Sequence, residues 1–155
     1  DPIAKLMGLA TNITFENPLM RSGLLFSGAQ NTIRGENLVG ENGVLTSLEA
    51  RDLNLTNTEL VVLSACETGI GDFVSGEGVY GLQRSILETG VQNVMMSLWK
   101  VDDRATQLLM TNFYTNWLEK GLTKREALKQ AQITIKNTDE YSSPYYWGAF
   151  VLIGK

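Results

Sequence analysis

The sequence predicts an α/β fold: a mostly parallel sheet with helices on both faces. Three observations carry that reading. Short apolar runs at Leu60 to Leu63, Val91 to Trp99 and Phe150 to Ile153 each end at a glycine or a polar residue, as buried strands do. Between them, apolar residues recur at helical spacing. Strands that alternate with helices imply right-handed crossovers and a largely parallel sheet. The chain has 155 residues with 43% hydrophobic and 19% charged content. At that length about 70% of the unfolded surface can be buried, which suits one domain over residues 1–155.

Each element has a local justification. Asp1 to Pro18 is mixed in character, with a short helix expected near Ile3 to Leu9. Leu24-Leu25-Phe26 after Gly23 reads as a strand or the end of one. Gly28 to Gly43, rich in glycine and asparagine, reads as a long loop or hairpin with a turn at Asn42-Gly43. Thr46-Ser47-Leu48-Glu49 is a capping box opening a short helix. Leu60 to Leu63 then has the valine-rich centre of a strand covered on both faces. Gly69 to Gly78 is a second glycine-rich loop. Val79, Leu82, Ile86 and Leu87 predict a helix that stops at Gly90. Val94, Met95, Met96 and Leu98 make the next strand. Asp102 or Asp103 caps a long amphipathic helix that runs to Gly121. Thr123-Lys124-Arg125-Glu126 is a capping box for a further helix, with Ala127, Leu128, Ala131 and Ile135 on one face. Phe150 to Ile153 closes the chain as a strand behind the aromatic group Tyr145-Tyr146-Trp147.

Composition excludes several classes of function. The net charge of −4, without a long run of either sign, offers no nucleic-acid footprint and no polybasic membrane patch. No apolar stretch is long enough to span a bilayer, and no signal-peptide pattern opens the sequence. The single cysteine forms no internal disulfide, and the expected compartment is the cytoplasm. Neither a cofactor nor a metal is expected. Histidine is absent, so any chemistry that needs imidazole must borrow it from elsewhere.

Three stretches are candidates for chemistry. Cys66 stands where the Leu60 strand ends, and in a parallel sheet that end opens onto the crevice where ligands bind. A lone cysteine also packs well as a small apolar group, so a reactive thiol and a buried one are both open here. A free thiol with a pKa near 8.5 is only a few per cent thiolate at neutral pH, and Glu67 turned toward it would raise that value. Gly76-Glu77-Gly78-Val79-Tyr80-Gly81 matches the G-x-G-x-x-G dinucleotide pattern, with Asp102 about twenty residues on. The fingerprint wants its first glycine directly after the strand, whereas Gly76 follows Cys66 by about ten residues, and Glu77 would face the pyrophosphate. Asp102-Asp103 reads either as a helix cap or as a carboxylate in the same crevice. Trp99 and Trp147 read as core or as crevice wall.

Leu63-Ser64-Ala65-Cys66-Glu67-Thr68-Gly69 resembles the cysteine motif of the CHAT peptidases, caspase-like domains often joined to tetratricopeptide repeats. The likeness continues through Gly76-Glu77-Gly78-Val79, Ser97-Leu98-Trp99-Lys100-Val101-Asp102-Asp103, Phe113-Tyr114, Glu126-Ala127-Leu128 and Trp147-Gly148-Ala149-Phe150-Val151-Leu152-Ile153-Gly154. Upstream, Pro18-Leu19-Met20-Arg21-Ser22-Gly23-Leu24 and Gly43-Val44-Leu45-Thr46 also fit. The resemblance implies a caspase-like three-layer αβα sheet and a cysteine endopeptidase. Cys66 takes the nucleophile's place, and Ser64, Asp102 and Trp99 fall where a substrate would bind, with Ser64 and Asp102 suggesting a basic residue before the scissile bond. It also implies a histidine in a His-Gly motif, expected upstream of residue 1. The fold is therefore expected to be incomplete at its N-terminus, through processing in the loop before Asp1 or otherwise, and the isolated chain to be inactive. The implied partners are that upstream segment, tetratricopeptide-repeat regions or a regulatory protein, and a protein substrate. A rival expectation is a non-catalytic docking or regulatory module on the same fold.

Overall fold

A computed structural model describes residue 19 and residues 23–30, 43–64 and 77–154, with the backbone alone for 77–80. The expected helix near Ile3 to Leu9, the loop through Asn42, the upstream motif around Pro18, and the residues from Ala65 to Gly76 lie outside the described residues. In chain order the elements are β1 (Gly23–Leu25), β2 (Val44–Thr46), α1 (Ser47–Ala50), β3 (Val61–Leu63), α2 (Glu77–Glu88), β4 (Asn93–Ser97), α3 (Asp103–Tyr114), a π-helical turn (Thr115–Glu119), α4 (Lys124–Lys136), α5 (Pro144–Trp147) and β5 (Phe150–Gly154). Helices and strands are mixed throughout, as an α/β fold requires. The chain divides into two compact units, Asp1–Glu59 with Glu67–Gln92, and Leu60–Cys66 with Asn93–Lys155.

In the first unit β1 and β2 form an antiparallel ladder, with Gly23 opposite Thr46 and Leu25 opposite Val44. Glycine is required at position 23, because a Cβ there would run into the Leu45 carbonyl oxygen. The capping box at Thr46 is complete. Its Oγ1 accepts from the Glu49 amide at 3.2 Å, and Glu49 Oε2 accepts from the Thr46 amide at 2.8 Å. Helix α2 begins at Glu77, so Gly78 already lies within the helix rather than in the phosphate-cradling turn before it. It buries Leu82 and Ile86, one turn apart, and stops where Gly90 takes φ +92°. Arg51 Nε meets Glu88 Oε2 at 2.7 Å, joining the end of α1 to the end of α2.

The second unit holds a three-stranded sheet in the order β3-β4-β5. β3 and β4 are parallel, with Val61 opposite Val94 and Leu63 opposite Met96. β5 runs antiparallel to β4, with Phe150 opposite Ser97 and Gly154 opposite Asn93. Among the described residues the sheet is therefore less parallel than the sequence predicted, and the reason is topological. α3 and α4 pack side by side as a hairpin, which returns the chain to the carboxyl end of β4. A strand starting from that end has to run back along β4. β4 is buried along its whole length, as its apolar run predicted. β3 is half-buried instead of covered on both faces, since among the described residues only β4 pairs with it.

One row across the sheet, Val62, Met95 and Leu152, faces the helix hairpin and shares its core with Phe150. α3 contributes Ala105, Leu109 and Phe113, each separated by one turn, and α4 contributes Ala127, Leu128, Ala131 and Ile135. Fully buried alanines at 105, 127 and 131 let the two backbones approach closely. The predicted long helix continues past α3, but its last turn widens to π geometry, with the Lys120 amide reaching the Thr115 carbonyl at 3.1 Å. Buried Asn116 in that turn donates to the Ala127 carbonyl at 3.4 Å and accepts from Lys120 Nζ at 2.9 Å. Gly121, at φ +70°, then reverses the chain. At the start of α4 only one arm of the expected box forms: Thr123 Oγ1 accepts from the Glu126 amide at 3.2 Å, while Glu126 Oε1 accepts from Gln130 Nε2 at 3.3 Å.

Candidate active site

The carboxyl ends of β3 and β4 are adjacent because the two strands are parallel and in register. Ser64 is the first residue beyond β3 and is exposed. Ser97, the last residue of β4, is buried, and its Oγ has no hydrogen-bond partner among the described residues. The segment from Leu98 to Asp102 leaves the sheet at this same end. Cys66, two positions after Ser64 in the chain, lies outside the described residues, as do Glu67 and the glycine-rich loop that follows.

Of this segment only Val101 is buried; Leu98 and Trp99 are 43% and 39% exposed. Three hydrogen bonds hold it to the stretch that precedes β5. The Leu98 amide donates to the Ala149 carbonyl at 2.9 Å. The Trp99 indole N–H donates to the Tyr145 carbonyl at 2.9 Å, and the Tyr145 hydroxyl donates to the Lys100 carbonyl at 2.6 Å. α5 presents Tyr145 on a single turn, capped by Ser143 and started by Pro144. Behind it the rings of Tyr145, Tyr146 and Tyr141 meet edge to face, at 5.3 and 5.1 Å between centroids. Tyr141 is buried and donates its hydroxyl to Glu140 Oε1 at 2.9 Å, a bond that holds the phenol above its ordinary pKa. Gln132 fixes the approach to β5 from the other side, donating from Nε2 to the carbonyls of Trp147 and Phe150 at 3.1 and 3.0 Å.

Asp102 resolves the choice between its two helix-capping candidates. Its Oδ1 accepts from the amides of Arg104 and Ala105 at 3.0 and 3.1 Å, which makes it the N-cap of α3, with Asp103 in the first turn. The side chain is also exposed at the sheet's carboxyl end, so capping and ligand contact are compatible there. Ser64, Trp99 and Asp102 thus all follow the carboxyl ends of two neighbouring strands. Sequence reasoning missed Tyr145 as part of this neighbourhood. Its partners are 45 and 46 positions away, so no local pattern could have announced them. Among the described residues no cluster of His, Cys, Asp or Glu could hold a metal ion, and no helix is long and apolar enough to cross a membrane.

The family model of the CHAT domain matches residues 4–155. This chain belongs to the CHAT domain family. That family is related to the caspase-like peptidases. Tetratricopeptide repeat protein 28 of Homo sapiens is 34% identical to this CHAT domain over 111 residues, covering 72% of the chain. The Mus musculus protein of the same name is 33% identical over 111 residues. The CHAT domain matches only 4% of the length of each of these relatives. No solved structure matches it.

Proposed function

We propose that this CHAT domain is the cysteine-bearing part of a caspase-like cysteine endopeptidase, built on a three-layer αβα sheet, with Cys66 as the nucleophile. The supporting observation is geometric. Ser64 follows β3, and Trp99 and Asp102 follow β4, at the shared carboxyl end of a parallel pair; Cys66 is two residues on from Ser64 in sequence. In this reading Ser64, Trp99 and Asp102 bind the substrate, and the Asp102 carboxylate favours a basic side chain before the scissile bond.

The chemistry follows from the thiol and from what the chain lacks. An imidazole takes the Cys66 proton, and the sulfur attacks the scissile carbonyl carbon. The Cys66 backbone N–H helps hold the oxyanion, the imidazole passes its proton to the leaving amine, and a thioester remains. Water then adds to the thioester with the same imidazole as base, releasing the acid and restoring the thiol. With no histidine among the 155 residues, the ring comes from an upstream segment of the same protein or from a separate chain. Tetratricopeptide-repeat regions are proposed neighbours, the relatives being named for them. A protein substrate and a cytoplasmic setting complete the proposal, with autoprocessing as one use of the activity.

A second reading is a non-catalytic docking or regulatory module. It is favoured by the fact that Asp102 and Trp99 already have structural partners, so their presence does not require a substrate. Alkylation separates the two readings. In the intact protein a catalytic Cys66 reacts with iodoacetamide much faster than a small-molecule thiol, whereas a packed one resists until unfolding. The isolated chain should hydrolyse no peptide and should regain activity when a histidine-bearing segment is supplied. Cleavage that survives Cys66→Ala, or Cys66-dependent cleavage by these 155 residues alone, would count against the proposed division of labour.

A further inference from the structure

We propose that Tyr145 is a positioning residue that fixes how Trp99 faces a peptide substrate, an inference that rests on the peptidase reading of this site. The segment between β4 and α3 carries Trp99, yet almost all of its side chains point outward. It is anchored by the Leu98 amide on the Ala149 carbonyl and by burial of Val101. Between those anchors, among the described residues, the hydrogen bonds that hold Trp99 and Lys100 from outside the segment both come from Tyr145. The Tyr145 carbonyl takes the indole N–H and the hydroxyl takes hold of the Lys100 carbonyl, so one residue restrains one side chain and the next peptide unit. Tyr145 is 50% exposed, and both bonds compete with water. Such bonds add little to the stability of the fold. What they restrict is the set of conformations that an otherwise outward-facing segment visits, and binding to a preorganised surface avoids that ordering cost. Tyr145 does not drift, because it sits on a capped turn and against Tyr146, whose ring lies against buried Tyr141.

The test compares two reagents for Cys66 in the intact protein and in Tyr145→Phe, which keeps the ring and the main chain and loses only the hydroxyl. Iodoacetamide needs no substrate subsite. A peptidyl acyloxymethyl ketone with arginine next to the warhead does. The expected result is labelling by the peptidyl reagent slowed about three- to tenfold, the range of one surface hydrogen bond, with the iodoacetamide rate unchanged. Equal effects on both reagents, or none on either, overturn the proposal. If the unsubstituted protein is labelled no faster by the peptidyl reagent than by iodoacetamide, the peptidase reading fails by itself, and substrate positioning falls with it. The hold on the segment is then judged by the NMR shift of the Lys100 carbonyl carbon, the group that loses its donor. An upfield shift in Tyr145→Phe, and not in Tyr146→Phe, supports the hold; an unchanged shift overturns that too.

Discussion

Asp102 caps α3 and, under the proposed function, also meets the substrate, and a pair of substitutions can separate the two roles. Asp102→Ala removes the cap from α3 and should cost about 1 kcal/mol of stability. Asp102→Asn keeps an oxygen able to accept from the amides of Arg104 and Ala105, so thermal unfolding should stay within a few tenths of a kcal/mol. The same Asn variant loses the negative charge. Under the proposed function, its preference for arginine over a neutral residue should fall at least tenfold in kcat/KM with paired peptide substrates. An unchanged preference would remove Asp102 from the substrate site while leaving it as a cap. Both its capping role and that of Thr46 were legible in the sequence, because donor and acceptor lie within three residues of each other. The role of Tyr145 was not, since it depends on two strands first bringing residues 45 positions apart to the same end of a sheet.

At the scale of elements, glycine and alanine placement carries the sharpest expectations. Gly90 ends α2 at φ +92°, and a Cβ there would approach Thr56 Cγ2 at 2.7 Å. Gly90→Ala should therefore cost about 1–2 kcal/mol for the left-handed backbone, with any crowding of Thr56 added, read as a shift in urea midpoint. The Arg51–Glu88 pair beside it is solvated, at 46% and 40% side-chain exposure, and contributes at most about 1 kcal/mol. Periodicity located α2, α3 and α4, because the buried residues of each recur every turn. It could not reveal the π-helical turn at Thr115–Glu119, where burying one asparagine against Ala127 outweighs regular helix geometry. Nor could an apolar run give the direction of β5. Phe150 to Ile153 reads the same in either direction, and the α3–α4 hairpin decides between them.

At the scale of the molecule, the unit containing Asn93–Lys155 is organised around Phe113, which is fully buried and meets Tyr114 and Trp117 ring to ring at 5.1 and 5.8 Å. Phe113→Ala should cost about 3–5 kcal/mol, enough to consume a large part of the stability of a typical domain. Amide exchange followed by mass spectrometry should show protection falling in α3, α4 and β4 together, because these elements share one core. Loss confined to α3 would mean that α3 unfolds independently of α4 and of the sheet. The α/β class and the share of this core that α4 and β4 supply were readable from the apolar pattern; Val101, Tyr141 and Ala149 were not, and Leu108, Tyr114 and Leu118, apolar positions of the long helix, are exposed. The division into two compact units was not, since nothing in composition changes at Glu59 or at Asn93.

The chain reversal at Gly121 has a practical side. α3 leaves the sheet's carboxyl end at Asp102 and its 12 residues run about 18 Å before the π-helical turn, so the reversal is remote from Ser64, Trp99 and Asp102. Gly121 is exposed, and among the described residues a Cβ there would meet no atom within 4 Å beyond its chain neighbours. A fluorescent reporter or an affinity handle spliced in behind Gly121 would stand well away from Ser64, Trp99 and Asp102, so the proposed thiol chemistry can be followed on a tagged molecule.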